Sequence, residues 1–530
     1  MCFCPEATLA NYQQALNLFS EPQHLALLAR LQRGIEKEGL RCSPQGIISQ
    51  KPHPKGLGSA LTHPSITTDY SEALLEFITP VFESAHEAHA YLSIAHRYAY
   101  KQLDGELIWP SSMPCILQGE MSIPIAHYGS SNLGQLKHVY RHGLWHRYGR
   151  TMQTISGIHY NFSLPAEIWP LLQANDERGD QYSPQSYISA RYFGLIRNFR
   201  RYSWLLMYLF GASPAVCASF LAGRDHKLDR LNEHSLYAPY ATSLRMSDLG
   251  YQNNAQSDLM VCHNTVDSYI KTLGKAISAP VQTYEEIGLQ DEHGHYKQLN
   301  TNLLQIENEY YSDIRPKRVA RHGEKPLQAL DKYGVEYIEV RCTDVNPFMP
   351  LGIDVPQMQF MDLFLTWCLL QPSPDIDEDE YWRIKRNQQK TVMEGRRPGL
   401  MLEQGGSDIS LQQWGMTILD EMKELAIMMD RASGETFHID TLGQQRLKLA
   451  DSRLTPSAQV LLQLQESSLE FAELTLQQAE RHRKTLSENL GPQVYQQWQQ
   501  MARDSLAAQE ELEQSDNMPF AEYLAHYLQR

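Results

Sequence analysis

The sequence predicts an α+β protein made of one large body with helices appended at its C-terminal end. Between about residues 105 and 350, short apolar or β-branched runs alternate with helical ones. After about residue 405, Gln, Glu, Leu and Ala dominate, and apolar residues recur at the three- and four-residue spacing of amphipathic helices. We therefore expect residues 1–404 to form the main body and residues 405–530 to form a helical region packed on it.

Individual elements follow from spacing and from Pro and Gly positions. Residues 6–33 predict a helical segment that breaks and restarts at Ser20–Pro22. The run 73–80 (ALLEFITP) predicts a strand ended by Pro80, because proline cannot donate to a strand ladder. Further segments are predicted as a helix over 83–101 and as strands over 157–163 and 336–341.

The charge balance excludes some classes of partner. The 530 residues hold 47 Lys and Arg against 62 Asp and Glu, which gives a formal net charge of −15. Phosphate groups must be met by Lys and Arg, so we expect binding neither to nucleic acid nor to an anionic membrane. The acidic excess is either solvated surface or, in part, a set of ligands for cations.

The cysteines and the apolar segments indicate a soluble, cytoplasmic protein. Eight cysteines are scattered without a CxxC pair, which excludes a zinc ribbon and a thioredoxin-type motif and favours buried free thiols. No basic segment followed by an apolar one is visible at the N-terminus. The longest apolar stretch, 360–370, is too short for a bilayer and contains Asp362, so we predict a buried helix.

Two acidic groups stand among apolar residues near the N-terminus. In a strand, Glu36 and Glu38 share one face about 6.5–7 Å apart, where two carboxylates repel unless a cation separates them. Asp69 precedes a run in which Glu76 is the lone acid among apolar neighbours. A solvated strand edge explains each pair as well as metal binding does, so the local sequence leaves both open.

Two further strands carry polar residues on a single face. Period-2 alternation places His159, Asn161 and Ser163 together, as in the wall of a cavity, although a structural histidine is the more common case. Glu339 and Arg341 also share a face, as a simple salt bridge or as a cation ligand beside a phosphate ligand. The stretch 315–321 is locally basic and is either a solvated loop or an anion-docking loop.

Familiar catalytic motifs are missing from the sequence. It has no GxxxxGK[ST] phosphate loop, no GxGxxG fingerprint and no GxSxG nucleophile elbow. His86 and His89 are spaced i, i+3 rather than the i, i+4 of a zinc helix, so we expect them on a helix surface. Cys115 has no base nearby in sequence, and no nucleophile is predicted.

Seven segments together resemble glutamate–cysteine ligases of the γ-proteobacterial type. The resemblance covers roughly residues 20–400 in the same order, and the C-terminal helices match only loosely. The segments are 34–41 (GIEKEGLR), 59–64 (SALTHP), 66–80 (ITTDYSEALLEFITP), 109–115 (WPSSMPC), 152–163 (MQTISGIHYNFS), 240–251 (YATSLRMSDLGY) and 337–341 (YIEVR).

The resemblance implies a fold similar to the core of glutamine synthetase. A curved, largely antiparallel sheet would line a funnel-shaped active site, with residues 1–404 as the ligase body. Two or three divalent cations, Mg²⁺ or in substitution Mn²⁺, would lie on its inner face. The implied ligands are Glu38, Asp69 and Glu76 for one cation, and Glu36, His159 and Glu339 for a second.

The implied reaction joins L-glutamate to L-cysteine with ATP, giving γ-glutamylcysteine, ADP and phosphate through a γ-glutamyl phosphate. It is the first step of glutathione synthesis. The resemblance assigns catalytic roles to Arg341 and Arg245, and nucleotide binding to Lys317 and Arg318. The implied substrate-binding residues are Tyr140, Leu144, Gln153, Asn161, Tyr251 and Tyr311; Tyr310 adjoins Tyr311, so this last assignment could slip by one position.

The family also implies feedback inhibition by glutathione, and we expect a monomer. Two other hypotheses stay open at this point. A related ligase could join glutamate to a different amine, which would change the acceptor pocket and leave the metal ligands alone. A non-enzymatic assembly protein built on the Gln-rich C-terminal helices would leave the inward carboxylates unexplained.

Overall fold

An antiparallel sheet of seven strands forms the centre of the computed structural model, which describes residues 12–249, 259–321 and 323–529. The strand order is β2-β3-β1-β5-β10-β9, and β4 pairs with the end of β1. The predicted α+β class with an antiparallel sheet is confirmed. The strands of this sheet are β1 (Gln32–Cys42), β2 (Ile66–Thr68), β3 (Leu74–Ile78), β4 (Leu107–Ile108), β5 (Ile158–Ser163), β9 (Ile314–Lys317) and β10 (Tyr337–Thr343).

Two small sheets and many helices surround the central sheet. The small sheets consist of β6 (Ala215–Cys217), β7 (Asp229–Arg230) and β8 (Ser235–Tyr237), and of the hairpin β11 (Met401–Gln404) with β12 (Ser407–Ser410). The helices of the first 400 residues are α1 (Tyr12–Leu18), α2 (Pro22–Leu25), α3 (Ala85–Tyr100), α4 (Asn132–Tyr148), α5 (Ile168–Ala174), α6 (Pro184–Phe210), α7 (Val266–Ala276), α8 (Gln282–Ile287), α9 (Pro326–Tyr333), α10 (Val355–Leu370) and α11 (Glu378–Glu394).

The back face of the sheet supplies the main core. Because side chains alternate along a strand, Ile35 on β1 points away from the acidic residues beside it and is fully buried. Tyr160 on β5 and Val340 on β10 lie on the same face, and the register of the three strands places them side by side. Helices α6 and α10 contribute to the same hydrophobic cluster, so the apolar half of each strand holds the polar half in place.

One buried ion pair ties the back of the sheet to α10. Asp362 accepts a hydrogen bond from the Tyr160 hydroxyl at 2.7 Å and lies 2.9 Å from Nη2 of Arg33. The Arg33 and Asp362 side chains are 5% and 3% exposed. The segment 360–370 is thus the buried helix predicted from sequence, and its single acid neutralises an arginine of β1.

The C-terminal helices pack on the body and share its core. Apolar residues between Leu411 and Leu449, together with Leu486 and Trp498, belong to the same hydrophobic cluster as the back of the central sheet, and those between Val460 and Ala479 belong to a second cluster. The Ser59 amide donates to the Ser505 hydroxyl at 2.9 Å, and the Asn132 side chain donates to the Met518 carbonyl at 3.0 Å. These helices are α12 (Leu411–Ser433), α13 (Phe437–Ala450), α14 (Pro456–Ser467), α15 (Phe471–Leu486), α16 (Pro492–Ser515) and α17 (Phe520–Gln529).

The boundary predicted between the main body and the C-terminal region, at residues 404 and 405, falls inside the β11–β12 hairpin. Gly405 and Gly406 form its turn with φ values of 56° and 83°, which only glycine adopts without strain. The helical texture therefore begins at Leu411, after the second strand of the hairpin. The division of the chain into two regions stays a prediction.

Several smaller expectations can be compared with the structure. Among the described helices, none combines the length and apolar character that crossing a membrane requires. The six described cysteines are free thiols, five of them buried, and the two others lie outside the described residues. His86 is exposed and His89 is half-buried on α3, as predicted for a helix surface.

We predict that Asp362→Asn lowers the free energy of unfolding by about 3–5 kcal/mol, because it leaves the buried Arg33 without a counter-charge. The midpoint of urea unfolding, at an unchanged dependence on urea, measures the loss. Asp420→Asn is the matched control, since Asp420 pairs with Arg446 on the surface and such pairs contribute about 0–1 kcal/mol. Equal shifts for the two variants would contradict the stabilising role of the buried pair.

Candidate active site

Four strands bring acidic side chains and one histidine together on the front face of the sheet. In the strand register, Glu36 lies opposite His159, and Glu38 lies opposite Glu76. Nδ1 of His159 is 3.2 Å from Glu36 and 3.6 Å from Glu339, and its Nε2 is 3.6 Å from Glu38. His159 is therefore the centre of the group, which we call the acidic cluster: Glu36, Glu38, Asp69, Glu76, His159 and Glu339.

Asp69 reaches this group from the turn between β2 and β3. Its amide donates to the Leu74 carbonyl at 3.0 Å, and its own carbonyl accepts from the Tyr128 hydroxyl at 3.0 Å. Arg141 on α4 also donates its Nε to the Asp69 carbonyl. Three backbone contacts thus hold the turn, and the carboxylate lines the same cavity as Glu38.

Basic side chains stand at one end of the acidic cluster. Nζ of Lys317 lies 3.5 Å from Oε2 of Glu339, and Nη1 of Arg341 lies 3.2 Å from Oε1 of the same residue. Arg315 is paired with Glu339 in the register of β9 and β10. Because Arg315 and Lys317 are two residues apart on a strand, they share a face. Glu339 therefore has fixed counter-charges within the protein.

The pKa shifts divide the acidic cluster into two ends. Burial raises the pKa of Glu339, yet Lys317, Arg341 and His159 together hold it well below its usual value. At the other end, burial raises the pKa of Glu76 well above its usual value, and the neighbouring carboxylates raise it further. The pKa of Glu38 is also raised, chiefly by burial. Burial is thus the main cause of the raised pKa values at this end, and neighbouring carboxylates add to it at Glu76.

The residues of the acidic cluster fit divalent cations. Within the described part of the chain, Glu36, Glu76 and His159 each offer a ligand atom, all within 4.8 Å of one another. Oδ1 of Asn161 is a buried acceptor for which no described residue serves as a hydrogen-bond donor, and a buried acceptor requires a partner. Carboxylates suit Mg²⁺, and the imidazole is better matched to Mn²⁺.

The three residues Glu36, Glu76 and His159 combine members of the two ligand sets that the resemblance implies. Glu76 was expected with Glu38 and Asp69, yet it also lies within reach of Glu36 and His159. The structure brings all six predicted ligands to one face, and the partition among separate cations stays a prediction.

Two cavities flank the acidic cluster. Cavity A, of about 420 Å³, is bordered by Glu38, Asp69 and Arg341 together with residues of α4. Cavity B, of about 520 Å³, adjoins Glu36 on the other side and has apolar walls that include Trp169 and Val335. Because the acidic cluster separates the two cavities, ligands in both would meet at the carboxylates.

Most of the predicted substrate residues lie around cavity A. Tyr140, Leu144, Gln153 and Tyr311 all line it. Tyr310 is instead part of the hydrophobic core, so the structure places the second tyrosine of the pair at the cavity. Tyr251 lies outside the described residues.

Other predicted residues lie elsewhere. Asn161 faces cavity B, where its amide donates to Glu36 at 2.9 Å. Arg318 also lines cavity B, whereas Lys317 reaches the acidic cluster. Arg245 is buried beside β10, and its Nη2 donates to the Arg341 carbonyl at 2.7 Å. A Cβ at Gly157 would lie 2.1 Å from Nη2 of Arg245, so this close approach requires glycine.

Sequence reasoning did not assign four arginines of cavity A to the site: Arg141, Arg147, Arg224 and Arg315, the last of which it placed only in a locally basic stretch. Arg141 and Arg147 project from α4, and Arg315 projects from β9. Arg147 is paired with buried Glu309 at 3.1 Å and fixes the loop before β9 against α4. Their signals were weak but present: Arg141 adjoins the predicted Tyr140, and Arg315 is two residues from Lys317.

Comparisons with known proteins find matches over nearly the whole chain. A family described as "Glutamate-cysteine ligase" matches residues 16–391. The chain is 52% identical to a glutamate–cysteine ligase of Pseudomonas aeruginosa, covering 97% of both chains, and 49% identical to one of Alcanivorax borkumensis, covering 98% and 99%. A crystal structure of Francisella tularensis glutamate–cysteine ligase in complex with AMP superimposes with a TM-score of 0.88 at 36% identity, covering 94% of this chain and 98% of that one.

We predict that Glu76→Gln stabilises the metal-free protein at neutral pH, raising Tm by on the order of 1–3 °C. The pKa of Glu76 is raised in the folded state, so folding favours the protonated form, and the stability from this group is lost as pH rises through the folded pKa. Gln cannot ionise, so the variant does not lose this stability at neutral pH. Thermal unfolding in a chelating buffer measures it.

With saturating Mg²⁺ the order should reverse, because only the wild type keeps the full ligand set and is stabilised by the bound ion. Glu511→Gln, an exposed position on α16, is the control and should leave Tm unchanged in both buffers. If the metal-free Glu76→Gln protein were less stable than the wild type, repulsion between carboxylates would not be what determines the effect of Glu76 on stability.

Proposed function

Since the chain belongs to the glutamate–cysteine ligase family, we propose that it uses ATP to join the γ-carboxylate of L-glutamate to the amine of L-cysteine. The products are γ-glutamylcysteine, ADP and phosphate. The observation that carries this proposal is the position of the acidic cluster between two cavities, with Arg341 and Lys317 beside it. This arrangement suits a phosphoryl transfer between ligands that enter from opposite sides.

The chemistry requires activation of the carboxylate. An amine does not displace oxide from a carboxylate at neutral pH. A γ-carboxylate oxygen of glutamate therefore attacks the γ-phosphorus of ATP, and ADP leaves. The cysteine amine then attacks the acyl carbon of γ-glutamyl phosphate, phosphate leaves, and the attacking nitrogen gives up a proton. Catalysis of such transfers is mostly positioning and stabilisation of charge.

Cavity B is proposed to hold the nucleotide. Trp169, Ile188 and Val335 give it the apolar walls that a flat base requires, and Arg318 stands at its border for a phosphate. Glu36 joins this cavity to the acidic cluster. The phosphate chain would then run from cavity B toward Lys317 and Glu339.

Cavity A is proposed to hold glutamate and cysteine. Tyr140, Leu144, Gln153 and Tyr311 would surround the acceptor, since together they make a small pocket with aromatic, aliphatic and amide groups. Arg141 supplies a positive charge in the same cavity for a substrate carboxylate. We keep Asn161 as a ligand-binding residue and assign it to the cavity B side, where it contacts Glu36.

The acidic cluster is proposed to hold two or three Mg²⁺ ions, with Mn²⁺ as a substitute. Bound there, the ions would supply positive charge to the phosphate oxygens during transfer. Glu38 and Glu76 would be stabilised most by the ions, because burial raises their pKa values and neighbouring carboxylates raise that of Glu76 further. Arg341 would contact the transferring phosphoryl group, since its guanidinium faces both Glu339 and cavity A.

Arg245 is proposed as a positioning residue. It does not border either cavity, and its guanidinium bonds the backbone carbonyl of Arg341 and lies 3.8 Å from Asp344. Both contacts hold the C-terminal end of β10, where the register with β5 shifts between Val340 and Thr343. Arg245 would thus aim Arg341 without touching the substrate.

The cellular setting is proposed from the same assignment. We place the protein in the cytoplasm as a monomer that supplies the first step of glutathione synthesis. Glutathione contains the γ-glutamylcysteine unit of the product, so it would compete for cavity A and inhibit the enzyme.

An ADP-release assay with ATP, Mg²⁺, glutamate and a panel of amines tests the function. We expect turnover that requires both glutamate and cysteine, with other amino acids much less effective. Equal rates with ammonia, a polyamine and cysteine would favour a related ligase with another acceptor. The absence of divalent-dependent ATP turnover would overturn the enzymatic proposal.

Two variants test the assignment of the cavities. Gln153→Ala should raise KM for cysteine about tenfold or more and leave KM for ATP near its wild-type value, because Gln153 borders cavity A alone. Arg318→Ala should do the opposite, because Arg318 borders cavity B. Steady-state kinetics with one substrate varied at a time gives both constants. Parallel changes of the two constants in either variant would argue against separate cavities.

A further inference from the structure

Four histidines form a continuous row on the outside of α4 and the loop before it. His138, His142 and His146 follow one another at four-residue spacing, and His127 stands beside the first of them. The ring centroids of His127 and His138 are 4.2 Å apart, and those of His138 and His142 are 4.6 Å apart. The centroids of His142 and His146 are 6.5 Å apart.

This row lies on the face of α4 opposite the proposed active site. Tyr140, Leu144 and Tyr148 of the same helix line cavity A. His138 and His142 precede two of these residues by two positions, which on an α-helix turns a side chain by about 200°. The histidine row is therefore separate from the acidic cluster, and the proposed reaction does not use it.

The tautomer of His138 is fixed by the backbone. Its Nδ1 lies 2.7 Å from the Ala126 carbonyl oxygen, which can only accept a hydrogen bond. Nδ1 therefore carries the proton, and Nε2 carries the lone pair. A backbone carbonyl on one ring nitrogen is the usual arrangement for a histidine that binds a metal through the other nitrogen.

The imidazoles are kept neutral, as metal ligands must be. Burial lowers the pKa of His142 to about 4 and also lowers the pKa of His138 and His146. The buried carboxylate of Glu72 accepts a hydrogen bond from the backbone amide of His127 at 2.9 Å and supplies a negative charge nearby. Arg150, stacked on Trp145, adds a positive charge that weakens binding and does not block it.

The spacing of His138 and His142, one helical turn apart with ring centroids 4.6 Å apart, allows both rings to bind one ion. The rings are inclined at 63°, and two imidazoles that share an ion through nitrogens about 2.0–2.1 Å from it have centroids roughly 4.5–5 Å apart. His127 is exposed, so rotation of its side chain can bring a third nitrogen to the same ion. Water would complete the coordination.

We propose that His138 and His142, with His127 as third ligand, form a second metal site that binds a divalent transition ion such as Ni²⁺ or Zn²⁺. The site is distinct from the carboxylate-rich acidic cluster. Imidazole donors favour these ions over Mg²⁺. Bound there, the ion would link the second and third turns of α4 to the loop at His127.

Calorimetric titration of the full-length, chelator-treated protein with Ni²⁺ in saturating Mg²⁺ tests the site. The acidic cluster can also take Ni²⁺, so the number of equivalents is compared between proteins. We expect the wild type to bind one equivalent more than His138→Gln and His142→Gln. His234→Gln, at an exposed position paired only with its neighbour Glu233, should match the wild type.

Fluorescence gives a second readout that does not depend on His138. The Trp145 ring lies 5.8 Å from His142, so bound Ni²⁺ should quench it, and Trp145→Phe should lose that quenching. Because His142 is half-exposed, we expect the His142→Gln variant to keep its Mg²⁺-dependent ADP release. That activity would show that the variant is folded. Equal Ni²⁺ equivalents in wild type and His142→Gln, or quenching unchanged in His142→Gln, would overturn the proposal.

Discussion

The crowding of five carboxylates, two of them buried and three half-buried, around one histidine is the constraint on which the rest of the structure depends. Charges of like sign in a poorly solvated place destabilise a fold unless they are paired or neutralised. Lys317 and Arg341 satisfy this requirement for Glu339, and the lowered pKa of Glu339 records it. Among the residues that the structure describes, no lysine or arginine forms an ion pair with Glu76, and burial raises the pKa of Glu76. We propose that a divalent cation supplies the missing positive charge at this end.

The back of the sheet explains how the front is kept in place. Each strand that bears an acid on its front face also carries a large apolar residue behind it, as with Ile35 on β1 and Val340 on β10. Arg33 and Asp362 then fasten β1 to α10 through a buried pair. Arg245 packs against Gly157 and donates a hydrogen bond to the Arg341 carbonyl, which holds this part of β10 in place. Rigid support of this kind is what a site for phosphoryl transfer requires.

Local alternation was enough to predict much of the front face. Glu36 with Glu38, His159 with Asn161, and Glu339 with Arg341 each share a face because they are two residues apart on strands. The spacing could not show that the three strands are neighbours, and the resemblance to a family supplied that link. It also supplied the metal role of Asp69, which lies on a turn where no periodicity applies.

The remainder depends on contacts between distant segments. Arg147 and Glu309 are buried together although 162 residues separate them, and nothing in either local sequence indicates the pairing. The pairing of Asp362 with Arg33 is of the same kind. The β11–β12 hairpin was different, since Gly405 and Gly406 between two short polar-apolar runs are a strong turn signal that the change to helical texture obscured.

The central claim is that the acidic cluster is a metal site. Anomalous diffraction from crystals soaked in Mn²⁺ and an ATP analogue tests it most directly, since the wavelength can be set to the manganese edge. The account predicts at least two anomalous peaks within bonding distance of the carboxylates around His159, one of them touching Glu38 or Glu76. Well-ordered carboxylates with no anomalous density among them, at Mn²⁺ concentrations that support turnover, would contradict it.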